Sequence, residues 1–216
     1  MRLKMTPQQI DKPLSFSAGI ELLCQRDRDL AQIVADYGAP DAWQREPGFA
    51  TLIRIILEQQ VSYASATAAF KRLEIAIDPI TPKNFLSLDD AELKTIGFSR
   101  QKTRYGRILA QSNLDGTLDL AELNKLDDRE IRAQLTAIKG IGDWTVDIYL
   151  MMALQRQDVF PSKDLAVAIA VKEIKHLATR PQAAELVTIS QAWRPYRAIA
   201  TKILWHYYLN RKSANK

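Results

Sequence analysis

The chain of 216 residues has one cysteine and two histidines, and both scarcities narrow its chemistry. A lone Cys24 leaves no partner for an internal disulfide, and too few thiols for a cysteine zinc site or a four-cysteine iron–sulfur cluster. His176 and His206 stand singly in apolar helical stretches and read as packing residues, with no zinc-ligand spacing around them. No apolar run approaches the ~18 residues that a membrane-spanning helix needs. The opening Met1-Arg2-Leu3-Lys4-Met5-Thr6-Pro7 lacks the apolar stretch of a secretory signal. A soluble intracellular protein is expected. Eight Gly and nine Pro are too few for a low-complexity chain, and 47% hydrophobic with 25% charged residues is the balance of a globular one. Runs of alternating polar and apolar residues, the mark of half-buried strands, are missing too; Val159-Phe160 is too short for one.

What is present is helical. Ser15 can cap a segment reaching Arg26, and a second ends at Tyr37 before Gly38 and Pro40. Gly48 to Leu57 is apolar nearly all round apart from Arg54, as in a helix buried in the middle of a bundle. Ser62 starts an Ala-rich helix that stops before Pro79. Thr81-Pro82 and Asp89-Asp90 are further starts, the first with Pro at the first helical position. Ser99 caps a helix to about Gln111, and Asp119, Asp127, Gly142 and Asp164 open others. Two more follow Pro181 and Pro195. Ten to twelve short helices with short connectors predict an all-α fold. Residues 1–14 read as a loose arm.

Charge is segregated. Arg100, Lys102, Arg104 and Arg107 lie between Gly97 and Gln111 without an acid. Arg194, Arg197, Lys202, Arg211, Lys212 and Lys216 lie beyond Trp193, again without an acid. These two stretches hold ten of the thirty basic residues, so the rest of the chain is net acidic. Clustered cations predict a polyanion partner, nucleic acid being the commonest, against the alternative of a solvated basic face.

The most specific segment is Leu135-Thr-Ala-Ile-Lys-Gly-Ile-Gly-Asp-Trp-Thr-Val-Asp-Ile-Tyr-Leu150. Gly140 and Gly142 flank one apolar residue, Ile141, which is expected to point inward and lock two helices together. The backbone N–H groups of Gly140, Ile141 and Gly142 then face outward at the start of the next helix, a phosphate-binding arrangement with Lys139 beside it. Such contacts position DNA without reading its sequence. The alternative is an ordinary helix–turn–helix link in which the glycines serve only as caps.

This segment resembles the helix-hairpin-helix of the DNA glycosylase superfamily that carries a downstream catalytic aspartate. Glu58-Gln59-Gln60-Val61-Ser62 resembles its intercalating loop. Gly97-Phe-Ser-Arg-Gln-Lys102 and Trp193-Arg-Pro-Tyr-Arg197 resemble blocks of its 3-methyladenine, or alkylpurine, branch in the compact form without an extra N-terminal domain. The four blocks fall in order over roughly residues 45–210. The resemblance implies two helical lobes with a cleft between them: about 60–160 with the hairpin, and the N-terminal segment with 161–216. It implies a monofunctional enzyme of base excision repair that flips 3-methyladenine or 7-methylguanine out of double-stranded DNA and hydrolyses the N-glycosidic bond.

The family's essential aspartate falls on Asp164, which is also a good N-cap for Leu165-Ala-Val-Ala-Ile-Ala. Where bifunctional relatives carry a lysine nucleophile, two residues past the second glycine, this chain has Trp144, so no strand cleavage is expected. Trp144, and after it Trp193, Tyr149 and Trp43, are the candidates for a base pocket that stacks on a cationic purine; for the last three, core packing is an equal alternative. Gln60, with Gln59 beside it, matches the residues inserted into the gap in the duplex, Gln59 being the better placed to brace the loop. Arg100 and Lys102 join Lys139 as backbone contacts. The resemblance also implies a sodium or potassium ion held by the carbonyls of Thr136, Ile138 and Ile141, and no other cofactor. Lys163, next to Asp164, stands where some relatives have a second acid. The expected form is a monomer without membrane association, in the cytoplasm or, in a eukaryote, the nucleus. A non-catalytic DNA-binding module explains the glycines and the basic stretches, but not the motifs that run through to Asp164.

Overall fold

The computed structural model describes residues 14–211; the arm expected over 1–14 lies, apart from Leu14, outside them, as do Lys212 and Lys216. Among the described residues every regular element is a helix. They are α1 (Phe16–Arg26), α2 (Arg28–Tyr37), α3 (Phe49–Glu58), α4 (Tyr63–Ala76), α5 (Pro82–Ser87), α6 (Asp90–Ile96), α7 (Arg100–Leu114), α8 (Asp128–Thr136), α9 (Asp143–Met152), α10 (Leu165–Ile174), α11 (Ala183–Ser190) and α12 (Arg197–Asn210). The boundaries follow local chemistry. The side chains of Ser15, Ser62, Thr81, Asp89, Ser99, Asp127 and Asp164 each accept an N–H from the first turn of the helix that follows, satisfying donors that the helix itself leaves open. Asp119 departs from expectation. Its carboxylate accepts from Ala121 and Glu122, which closes a turn leading into the short 3-10 segment Leu123–Lys125 instead of an α-helix. No helix among the described residues is long and apolar enough to cross a membrane.

The chain divides into two compact units. One runs from Trp43 to Gln155; the other joins the segment up to Ala42 with everything from Arg156 onward. The first begins well before residue 60 because α3 packs against α4, α7 and α9. Leu52, Ile53, Ile55, Ile56 and Leu57 of α3 are all at most 1% exposed, so this helix is the unit's central rod. Phe49, Phe85 and Phe98 extend that core by successive edge-to-face contacts with centroids 5.8 and 5.5 Å apart, a favoured aromatic geometry.

The second unit is built on α12, which packs against α1, α2 and α10. Its core joins Leu23, Leu30, Ile33, Val167, Val171, Ile199, Ile203 and Leu204 around a fully buried Trp193. The Trp193 indole N–H donates to Asp27 Oδ2 at 2.8 Å, and Phe160 packs against the ring with centroids 5.9 Å apart. Burial by itself would raise the pKa of Asp27, but hydrogen bonds from Lys175 (2.8 Å to each oxygen) and Trp193 bring it below the usual carboxylate range.

Lys202 is the costly residue of this core. It is 4% exposed, with its ammonium 5.2 Å from the Phe16 ring centroid, and burial pushes its pKa down to about 8 from 10.5. In the unfolded chain the amine keeps its proton up to the ordinary value. Between about pH 8 and 10.5 the unfolded state therefore binds more protons than the folded one, and stability rises with pH across that window. Below it the full penalty applies, on the order of 3 kcal/mol at ~1.4 kcal/mol per pKa unit. Lys202→Met is expected to raise the unfolding free energy by about 2–3 kcal/mol at pH 7 and to flatten the alkaline rise. Urea denaturation of both proteins from pH 7 to 10 measures this; equal curves would show that the ammonium is already solvated.

Candidate active site and nucleic-acid interface

In the unit from Trp43 to Gln155, α8 and α9 form the hairpin. Ile138 N–H donates to Leu135 O at 3.1 Å, and Ile141 N–H to Ile138 O at 3.0 Å, closing the turn. Ile141 is 4% exposed and acts as the internal lock. The two glycines differ. Gly140 has φ +98, and a Cβ there would meet the Tyr105 ring at 2.1 Å, so backbone conformation and packing both demand glycine. Gly142 is exposed, has an ordinary φ of −105, and a Cβ on it would meet nothing within 4 Å. The fold alone does not need glycine at 142. A backbone left bare on the solvent side, at the N-terminus of a ten-residue helix, is where an anion can approach. Lys139 is exposed beside it. Arg132 of α8 reaches Asp143 and Asp147 of α9 and ties the two helices together.

The intercalating-loop segment follows α3. Gln60 is exposed in the left-handed region at φ 55, a conformation that non-glycine residues adopt at some cost. Gln59 takes the bracing position expected beside Gln60. Its Nε2 donates to Gly140 O at 2.9 Å and to Thr145 Oγ1 at 3.0 Å, so it ties the loop to the hairpin. Lys102 has a further role within the fold. Its Nζ donates to Leu57 O at 2.7 Å, capping the C-terminus of α3, and burial lowers its pKa. One of its three donors thus answers an orphan helix carbonyl. Arg107 likewise reaches Leu88 O and Asp90. Arg100 and Arg104 remain exposed on α7.

Among the described residues of the second basic stretch Arg194 is exposed, while the other three are engaged within the fold. Arg197 holds Asp158, Lys202 is buried, and Arg211 contacts Glu173 and lies 4.3 Å over the Tyr208 ring.

Two of the four aromatic candidates also change role. Trp193 is core, as described. Tyr149 is fully buried on α9, and its hydroxyl accepts the Gly48 N–H at 3.0 Å; burial raises its pKa. Neither ring has a free face for a base. Trp144, at the second position of α9, and Trp43, at φ 44, are half-buried.

Asp164 belongs to the other unit. It is 8% exposed and stands as N-cap of α10, with Oδ1 accepting Val167 N–H at 2.9 Å and the Trp205 indole N–H at 3.2 Å. Two donors fix the carboxylate in place. Lys163 and Leu165, on either side, are exposed. Trp205 carries no local signal, since it meets Asp164 across 41 residues through the packing of α10 on α12. Tyr105, which sits under Gly140, went unread for the same reason. Among the described residues no group of three or more His, Cys, Asp or Glu side chains could hold a metal ion.

Residues 53–195 match the HhH-GPD superfamily base excision DNA repair protein family. The chain is 28% identical over 180 residues to DNA-3-methyladenine glycosylase 1 of Schizosaccharomyces pombe, covering 82% of this chain and 79% of that protein. The fold matches the structure of the Schizosaccharomyces pombe 3-methyladenine DNA glycosylase in complex with abasic DNA. The TM-score is 0.79 at 27% identity, over 88% of this chain and 94% of that one. It also matches the DNA-3-methyladenine glycosidase of Bacillus halodurans with a TM-score of 0.69 at 27% identity, over 94% and 92% of the two chains.

Proposed function

Because the chain belongs to the HhH-GPD superfamily of base excision DNA repair proteins, we propose that it is a monofunctional DNA glycosylase that removes alkylated purines from double-stranded DNA. The observation that carries this reading is the Asp164 carboxylate, fixed at the head of α10 by Val167 N–H and the Trp205 indole. A purine methylated at N3 or N7 is cationic, so as the C1′–N bond breaks the base takes the electron pair and departs neutral. The demanding charge then lies on the sugar, which becomes oxocarbenium-like. A fixed carboxylate beside C1′ offsets that charge and orients or deprotonates the water that adds to C1′. A second catalytic carboxylate is not required, unlike in most glycoside hydrolases. Trp144 is the aromatic face proposed for the flipped cationic base, with Trp43 as a further candidate. The N–H groups of Gly140 and Gly142, with Lys139 and Arg100, hold backbone phosphates, whereas the Ile141 N–H, expected among them, is taken by Ile138 O inside the turn. Gln60 fills the gap left in the duplex.

Trp144 stands where a lysine nucleophile would form a Schiff base with the sugar, so the reading includes no lyase step. It includes no iron–sulfur cluster or zinc either, supported by the single cysteine. The neutral carbonyl oxygens of Thr136, Ile138 and Ile141 suit a sodium or potassium ion, which would strengthen the hairpin's hold on phosphate; the Ile138 oxygen also accepts the Ile141 N–H. The protein is proposed to act as a monomer, in the cytoplasm or nucleus. Incubation with methylated duplex DNA is expected to release free 3-methyladenine or 7-methylguanine, measured by chromatography, and to leave strands that break only after alkali. Absence of released base would overturn the assignment, and nicking without alkali would overturn its monofunctional part.

A further inference from the structure

Leu57, Glu58 and Gln59, the three residues that lead into the exposed Gln60 turn, are each anchored from a different side. Lys102 caps Leu57 O. Arg45 grips Glu58 with two hydrogen bonds of 2.7 and 3.0 Å, both side chains being about 90% buried, and Arg54 Nε approaches the same carboxylate at 3.5 Å. Gln59 holds Gly140 O and Thr145. On the far side Ser62 caps α4. The turn is therefore a braced spur, and what it presents to solvent is unusual for this chain. Val61 and Tyr63 are each 48% exposed, and Tyr63 is the one exposed Phe, Tyr or Trp side chain among the described residues. Every other Phe, Tyr and Trp among them is buried or half-buried. Val61 and Tyr63 thus place two apolar side chains side by side in solvent, directly after Gln60 at φ 55 and next to a braced turn.

We propose that Tyr63 is a second DNA-contacting element of the spur, stacking its ring on a base of the strand opposite the flipped nucleotide while Gln60 occupies the gap. This rests on the function proposed above. The partner fits the surroundings: exposed Arg100, Arg104 and Lys139 in the same unit supply the cations for a polyanion, and Gln59 makes the spur continuous with the phosphate-binding hairpin. Aromatic stacking tolerates any base, because every base has a π-face, so Tyr63 holds the distorted duplex without reading its sequence.

The test uses a duplex with a tetrahydrofuran abasic analogue and 2-aminopurine placed in turn opposite the analogue and at each neighbour in that opposite strand. Wild type and Tyr63→Phe are expected to quench 2-aminopurine in at least one placement, and Tyr63→Ala to lose that quench and to bind the duplex about tenfold more weakly, the size of one base–ring stack. Leu114→Ala, at another exposed apolar residue of the unit, should match wild type, and thermal melting checks that each variant is folded. If Tyr63→Ala quenches and binds like wild type while the wild type releases methylated bases, Tyr63 has no such role and the glycosylase reading stands. If wild type neither binds this duplex nor releases base, both readings fall.

Discussion

Replacing Asp164 with Asn is expected to lower base release by at least about a thousandfold, the scale of losing a charged group aimed at a developing charge in a transition state. The substitution isolates charge from structure. Asn is as good an N-cap as Asp, so its side-chain oxygen can still accept Val167 N–H and the Trp205 indole, which the carboxylate holds at 2.9 and 3.2 Å. The fold and the head of α10 should therefore persist, and affinity for duplex DNA should stay near wild type, since the phosphate contacts are proposed for the hairpin. What disappears is the negative charge that would face the oxocarbenium-like sugar. Single-turnover release from methylated duplex, measured beside equilibrium binding, separates the two effects. Release within tenfold of wild type would mean that Asp164 is only a helix cap. Asp164→Ala is the coarser companion, because it also removes the cap and adds a stability loss of about 1 kcal/mol.

The hairpin offers the second large effect, and its two glycines should respond in opposite ways. Gly140→Ala forces an L-residue to φ +98 and drives a methyl to 2.1 Å from the Tyr105 ring. The backbone part costs about 1–2 kcal/mol and the overpacking about 1–3 kcal/mol, so the variant should be strongly destabilised and bind duplex poorly. Adding Tyr105→Ala should restore the packing part and leave the backbone part. Gly142→Ala places its methyl in open space at an ordinary φ. Its melting temperature should be unchanged or slightly raised, while duplex affinity falls because the methyl stands where the phosphate would lie. Calorimetry and fluorescence anisotropy on the two variants check this. Equal affinity of Gly142→Ala and wild type for duplex would remove Gly142 from the interface.

Much of this was legible along the chain, because the signals act within one turn. A Ser, Thr or Asp that accepts an N–H two or three residues ahead announces a helix start, and seven of the expected caps do so. An apolar stretch such as Gly48 to Leu57 announces a buried rod, and α3 is one. The Gly-Ile-Gly turn could be read from its own residues, whereas the Glu58 to Ser62 block and the role expected of Asp164 came from the resemblance to the glycosylase superfamily. The all-helical class could also be read directly, since nothing in the chain alternates as a strand does.

Residue type and position leave open which groups a side chain meets. Trp193 and Trp144 are both tryptophans near motifs, yet one is sealed beneath Asp27 and Phe160 and the other is half-covered. Lys102 and Arg100 share a basic stretch, but a helical offset of two residues turns one toward the end of α3 and leaves the other in water. Gln59 finds Gly140 across 81 residues and Trp205 finds Asp164 across 41. Composition and local hydrogen-bonding geometry were sufficient for the helices and the turn, and the family resemblance singled out the candidate carboxylate among the helix caps. Only the packing of distant helices decided which rings are core, which cations are caps, and what braces the functional groups, because those pairings depend on the burial of whole helix faces and not on any neighbour in the chain.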